Sequence, residues 1–271
     1  MSAASRVTGY DRIAGHFDMR YRDYAYDGVR ETLFNFLGPE PSQVLEVGCG
    51  TGHWLAVAHE ARRNPSHEAR LKPSLYGIDS SERMLAQAAA GAKALAERPS
   101  LVRAQAEDLP WRDATFDRLF CVNSLHHFAD RARFFAEARR VLRPGGGLLT
   151  VGMDPHTDRD DWWVYQYFEE TRAIDRERFA RVRTLRGEIS LAGFAWTESM
   201  EAEHIEIVRP AAEAMVSGVV DPGFTSQLTV LSEEQFRRGS ERLREANDAA
   251  GGELQLITDI RLYATVGWIA P

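Results

Sequence analysis

Three glycines spaced two residues apart, Gly48, Gly50 and Gly52, follow an apolar run, Val44-Leu45-Glu46-Val47, that a single acid interrupts. The pattern predicts a strand ending in a tight turn. Each glycine removes a Cβ where a backbone must bend sharply or pass close to a ligand. His53-Trp54-Leu55 then opens a helix whose first N–H groups have no intrahelical partner and face the turn. A dinucleotide site would carry G-x-G-x-x-G, but His53 stands where the last of those glycines belongs. Glu46, just before the first glycine, suits a cationic ligand better than an anionic one.

Other residues able to do chemistry stand at the ends of later apolar runs. Asp79 closes Leu75-Tyr76-Gly77-Ile78 and is followed by Ser80-Ser81-Glu82. Its carboxylate offers two oxygens, enough for both hydroxyls of a diol, or it caps the next helix. His126 and His127 follow the run Leu119 to Val122 and Asn123. They titrate near neutral pH, so one can take a proton from a nucleophile; the competing use is packing at a helix start. Cys49 and Cys121 are the only cysteines, which gives no disulfide framework and points to a reducing compartment. The eight histidines are scattered and neither cysteine has a CxxC partner, so no metal set is expected.

The elements that must position these residues alternate between strand-like and helix-like segments, which predicts an α/β fold with a mostly parallel sheet covered on both faces. Strands are expected at Gln43–Val47, Leu75–Ile78, Leu101–Ala104, Arg118–Val122 and Leu148–Val151, then around Ile205 and Ile207. A last strand alternates from Leu254 to Trp268. Arg143 to Gly147 reads as a turn, and Phe179, Val182, Leu185 and Ile189 as one amphipathic helix. Capped helices begin at Ser80-Ser81-Glu82 and at Ser232. With 33 basic against 40 acidic residues, a net charge of −7 argues against DNA or bulk RNA as a partner. The start of the chain lacks an apolar signal region, and no apolar run approaches the roughly 18 residues of a membrane span, so a cytoplasmic protein is expected.

The glycine turn, Asp79, Ala106-Glu107-Asp108-Leu109-Pro110-Trp111, Asn123-Ser124-Leu125-His126-His127-Phe128 and Leu142-Arg143-Pro144-Gly145-Gly146 occur in one order. Together they resemble the class I S-adenosylmethionine-dependent methyltransferases, in particular small-molecule enzymes similar to those of quinone biosynthesis. The resemblance runs from about Tyr10 to Thr150. It implies a Rossmann-like seven-stranded sheet whose last strand is antiparallel and inserted between the fifth and sixth, in a single methyltransferase domain. A helical cover over about 1–38, a core over about 39–153 and substrate or lid insertions over about 154–200 and 210–252 are expected within it.

The resemblance also implies a site for S-adenosylmethionine, with S-adenosylhomocysteine as product. Gly48, Cys49, Gly50 and Gly52 would pass along the methionine part, with Glu46 near its ammonium. Asp79 would meet the ribose, and Gln105, Ala106 and Glu107 the adenine, with Ser80 and Asn123 also among the cofactor-binding residues. Where relatives commonly have Asp, this chain has Gln105, which keeps a hydrogen-bond acceptor but loses charge. Met84 either packs on the adenine face or belongs to the helix core, and Tyr10 either closes the pocket or lies on a surface helix. The aromatic run Trp162 to Phe168 walls an apolar or aromatic acceptor, or else packs a lid. The arginines from 172 to 186 alternate with acids, as on a solvated, ion-paired face. Small-molecule O-, N- or C-methylation is the favoured activity; an RNA or protein methyltransferase and a catalytically silent S-adenosylmethionine-binding regulator are the alternatives.

Overall fold

A computed structural model describes residues 18–39, 41–61, 74–95 and 97–271. Tyr10 and the polar stretch before Pro73 lie outside the described residues. In chain order the elements begin with α1 (Met19–Asp23), α2 (Asp27–Leu37), β1 (Gln43–Val47), α3 (His53–Ala61), β2 (Ser74–Asp79) and α4 (Glu82–Gly91). β3 (Ser100–Arg103), β4 (Phe116–Val122), α5 (Arg131–Val141), β5 (Leu142–Met153), β6 (Asp161–Trp162), α6 (Trp163–Tyr167), α7 (Glu170–Arg178) and α8 (Val182–Leu191) follow. The chain closes with β7 (Trp196–Pro210), α9 (Ala211–Val216), α10 (Ser226–Thr229), α11 (Glu233–Ala249) and β8 (Gln255–Trp268).

One mixed sheet runs β3-β2-β1-β4-β5-β8-β6, with β7 also paired to β8. The first five strands are parallel. β8 runs antiparallel to β5, β6 and β7, with Trp268 opposite Gly147 on one side and Trp196 on the other. The expected insertion of the last strand is therefore present, and the expected count of seven rises to eight through the two-residue β6.

Residues alternate between the two faces as strand geometry requires. Val44, Phe120, Val122, Leu149 and Val151 join the core beneath α2 and α3. Leu45, Val47, Leu119, Cys121 and Leu148 join the core beneath α5 and α8. With both faces covered, the sheet presents its carboxyl edge as the open side of the fold, where ligands of such sheets bind.

Two local expectations are corrected. Arg143 to Gly147 is a bulge inside β5 rather than a turn before it: the register with β4 jumps from Phe116–Leu142 to Arg118–Gly147, and Gly145 takes a φ of 73°. The helix expected through Phe179 is broken there. Phe179 has extended backbone at the end of α7, and Asp154 accepts from the Val182 N–H at 2.9 Å to start α8 afresh. The capped starts hold: Ser81 accepts from the Met84 N–H, and Ser232 and Gln235 form a reciprocal capping box.

Candidate active site

The glycine turn sits at the carboxyl end of β1, and its glycines do different jobs. A Cβ on Gly48, where φ is 72°, would lie 2.6 Å from the Ser124 side chain. At Gly48 the turn thus passes the loop after β4 so closely that a side chain there would collide with it. Gly52 packs the start of α3 against Ala88, 3.1 Å from where its Cβ would be. Gly50, at φ 52°, turns its N–H onto Asp79 Oδ2 at 2.9 Å, while Ser81 N–H donates to Asp79 Oδ1 at 2.8 Å. These bonds fix the Asp79 carboxylate at the end of β2.

The turn opens onto a cavity of about 840 Å³. Glu46, Gly48, Cys49 and Gly50 line it from β1 and the turn, and Asp79, Ser80 and Met84 from β2 and α4. Gln105, Ala106 and Glu107 reach it after β3, Asn123 and His127 after β4. Nearly the whole expected set is therefore brought together; Gly52 and His126 do not line this cavity. Asn123 holds a φ of 51°, a left-handed conformation that asparagine tolerates better than most side chains. Glu107 accepts from the Ala129 and Asp130 N–H groups at 2.6 and 3.1 Å, which closes the loop before α5 over that end.

Glu46 is 1% exposed, and its Oε2 has no hydrogen-bond partner among the described residues. Burial, with the Asp79 charge adding to it, pushes its carboxyl well above the usual range. An unsatisfied buried carboxylate oxygen is costly, and a cation placed in this cavity would offset that cost. Burial likewise pushes the Cys49 thiol well up, with Glu46 and Asp79 contributing, so it is not an activated nucleophile.

The two histidines part company. His127 lines the large cavity, whereas the ring of His126 turns away, stacks on Phe179 at 4.0 Å and places Nε2 3.3 Å from Ser226 Oγ. Burial, reinforced by positive charge, holds both well below the usual histidine value, so both are neutral near pH 7. The charge comes from Arg178 and Arg20 in both cases, with His127 itself adding to the effect on His126.

Sequence reasoning missed several lining residues. Arg20 and Tyr21 enter from α1, with Tyr21 stacked on His53 at 3.6 Å; Trp54, Phe128, Asp130 and Arg133 complete the rim. Ser81 also lines the cavity, and its capping signal was legible. Arg20 and Asn123 also line a second, smaller cavity of about 40 Å³. Of the aromatic run, only Trp162 reaches that cavity; Trp163, Tyr165, Tyr167 and Phe168 are buried packing residues, with Tyr165 donating to Asp175 at 2.8 Å. Arg172 and Arg176 pair with Asp158 on the surface as expected, but Arg178 turns inward to Asp175 and the Ser226 carbonyl. His204, Glu206 and Asp259 bring possible ligand atoms within 4.8 Å of one another, but Arg261 already pairs with Asp259 there. Among the described residues, no helix is long and apolar enough to cross a membrane.

Comparison with known proteins decides the family. A profile described as a methyltransferase domain matches residues 45–150. The demethylmenaquinone methyltransferase of Thermotoga maritima is 30% identical over 167 residues, covering 60% of this chain and 68% of that protein. The chain belongs to the class I S-adenosylmethionine-dependent methyltransferases. Another member, O-methyltransferase rstn1 of Aspergillus nomiae, is 32% identical over 147 residues, 51% of this chain and 61% of that protein. The methyltransferase fold is shared with the solved YcgJ protein of Bacillus subtilis at TM-score 0.61 and 18% identity, over 89% of this chain and 98% of that one. Across five curated relatives the matched part spans 40 to 68% of their length.

Proposed function

We propose that this methyltransferase binds S-adenosylmethionine in the 840 Å³ cavity and transfers its methyl group to a small organic molecule. The observation that carries this reading is Glu46: a buried carboxylate oxygen without a partner among the described residues, at the methionine end of a cavity of ligand size. The residues fit the group. Glu46 would take the ammonium, Asp79 the ribose hydroxyls, and Gln105 with the Ala106 N–H the adenine edge, while Met84, 2% exposed, would wall the adenine face. When bound, S-adenosylmethionine supplies an already activated methyl carbon. The protein's task is then to align the acceptor, exclude water and, where the acceptor is protonated, hold a base.

His127, neutral and facing the cavity, is the candidate base; His126 is placed to act only from the neighbouring cavity. The family's named members include enzymes for a demethylmenaquinone and for 27-O-demethylrifamycin SV, which supports a small organic acceptor here. Incubating the protein with S-adenosylmethionine and a metabolite collection, and following S-adenosylhomocysteine, tests the reading. Acceptor-dependent product is expected, and substitution of His127 by Gln should lower turnover while sparing S-adenosylmethionine affinity. Tight binding with no product from any acceptor would favour the silent regulator instead.

A further inference from the structure

The segment that follows β3 is fastened to α5 at several points, and the points reach different places. Glu137, in the middle of α5, accepts from the Leu109 N–H at 2.8 Å. Arg140 donates to the Leu109 and Trp111 carbonyls at 3.0 and 2.7 Å, and a two-point pair with Glu137, both bonds at 2.7 Å, fixes the two side chains in turn. Leu109, Trp111, Glu137 and Arg140 all lie outside the lining of the large cavity. They hold the segment to the body of the fold. Glu107 reaches the cavity side instead, where its Oε1 accepts from two consecutive N–H groups, Ala129 at 2.6 Å and Asp130 at 3.1 Å.

Two acids thus share the entry to α5. Asp130 is its N-cap, and its side chain accepts from the Arg133 N–H at 3.0 Å, which serves the first turn. Glu107 serves the chain leading into that turn, where the positive end of the helix also favours an acid. What it holds is the run from Asn123 to Asp130, of which Asn123, Ser124, His127 and Phe128 line the large cavity. The start of the run is fixed by the Asn123 N–H on the Val151 carbonyl at 2.8 Å. Its middle turns back through the His127 and Phe128 N–H groups, which donate to the Ser124 and Leu125 carbonyls at 2.9 and 3.2 Å. Glu107 joins its end to the opposite wall. Because Glu107 directly follows Gln105 and Ala106, one short segment carries both the wall for the adenine and the tie to the run that bears His127.

We propose that Glu107 is a positioning residue and not a ligand of the adenine: its carboxylate ties the two walls together, so that filling the adenine end orders the run carrying His127. The proposal rests on reading the large cavity as the S-adenosylmethionine site. Hydrogen bonds from N–H groups to a carboxylate are about twice as strong as neutral ones, so their loss releases the end of the run. Glu137 and Arg140 keep the segment after β3 in place when Glu107 is replaced. Loss of Glu107 is therefore a local opening of one cavity wall and leaves the fold standing.

The test uses the full-length protein with S-adenosylhomocysteine as probe. Amide hydrogen exchange is read residue by residue by NMR, together with the ring carbon signal of His127, assigned with His127→Gln. In the unsubstituted protein, the probe should slow exchange at Ala129 and Asp130 by about 10-fold and move the His127 signal. Glu107→Ala should speed exchange at both amides by about 10-fold and abolish the His127 response, while probe affinity changes by less than about 3-fold. Glu107→Gln, which keeps an acceptor oxygen, should restore most of both. Glu137→Gln should lower the urea midpoint and leave the His127 response in place. Amides as well protected in Glu107→Ala as in the parent, or a loss of affinity of about 10-fold in that variant, would overturn the proposal, the second by making Glu107 a direct ligand. If Glu107→Ala fails to fold, Glu107→Asp, one carbon short of both N–H groups, takes its place with the same expectations. An unsubstituted protein that does not bind the probe sinks the cofactor reading; binding that leaves Ala129, Asp130 and His127 unchanged sinks only the role of Glu107.

Discussion

The part of the molecule from β1 to β5 and the part from β6 to β8 build their cavities by different means. In the first, Glu46 and Asp79 sit at the ends of β1 and β2 while Gln105 and Asn123 follow β3 and β4 by one or two positions, so all four reach one sheet edge because parallel strands end together. In the second, Trp162 from β6, Phe179 from the end of α7, Ser226 and Gln227 from α10 and Ile260 from the antiparallel β8 meet Arg20 from the far end of the chain. The first arrangement is local and repeats from strand to strand. The second depends on how helices cross, which no short motif fixes. A shared scaffold can thus keep one ligand while the other cavity is rebuilt.

The comparison breaks most readily at Asp79. Asp79→Ala is expected to weaken S-adenosylmethionine binding about 10- to 100-fold, the range for losing hydrogen bonds to a charged group, as measured by calorimetric titration. Unchanged affinity would refute the ribose assignment. Gly48→Ala is expected to lower stability by about 1–3 kcal/mol in urea unfolding. It combines positive φ with contact against Ser124 and tests whether the turn is fixed by packing rather than by ligand. Tyr165→Phe removes a buried hydrogen bond to Asp175, whose carboxyl burial pushes up to about 6. A loss of about 1 kcal/mol is expected with S-adenosylmethionine affinity unchanged; a matching drop in affinity would show that the two parts are not independent. Ser232→Ala, at the capping box of α11, should cost about 1 kcal/mol in thermal or urea unfolding and leave both cavities intact.

What could be read from the chain follows the same division. Asp79 was legible because a strand, an acid and a serine cap stand consecutively, and the structure adds that Gly50 and Ser81 hold it. The last strand was legible because alternation runs from Gln255 to Ala264 before the buried stretch that follows, and its antiparallel direction was what the family resemblance implied. The contact of Gly48 with Ser124 was not legible, since Ser124 is remote in sequence and arrives only through the β1–β4 pairing. Arg178 looked like one more member of an ion-paired face. Only the break at Phe179 turns it inward, and that break comes from Asp154 capping α8 from 28 positions away. Arg20, in a run of mixed charge and aromatics, carried no periodic signal at all.

Both buried histidines also set a pH dependence. Their folded values lie below that of the unfolded chain, so unfolding takes up protons as pH falls through about 6.5, and stability should drop from there downward. The site responds through Glu46 in the opposite sense to a normal carboxylate: burial keeps its proton, and a bound ammonium should expel it. Calorimetric titration of S-adenosylmethionine in two buffers of different ionisation enthalpy, at mildly acidic pH, reads that proton directly. The expected result is one binding site with proton release, affinity rising with pH, and both proton release and its pH dependence lost in Glu46→Gln. Binding with no proton release, or the same release from Glu46→Gln, would contradict the placement of the ammonium on Glu46.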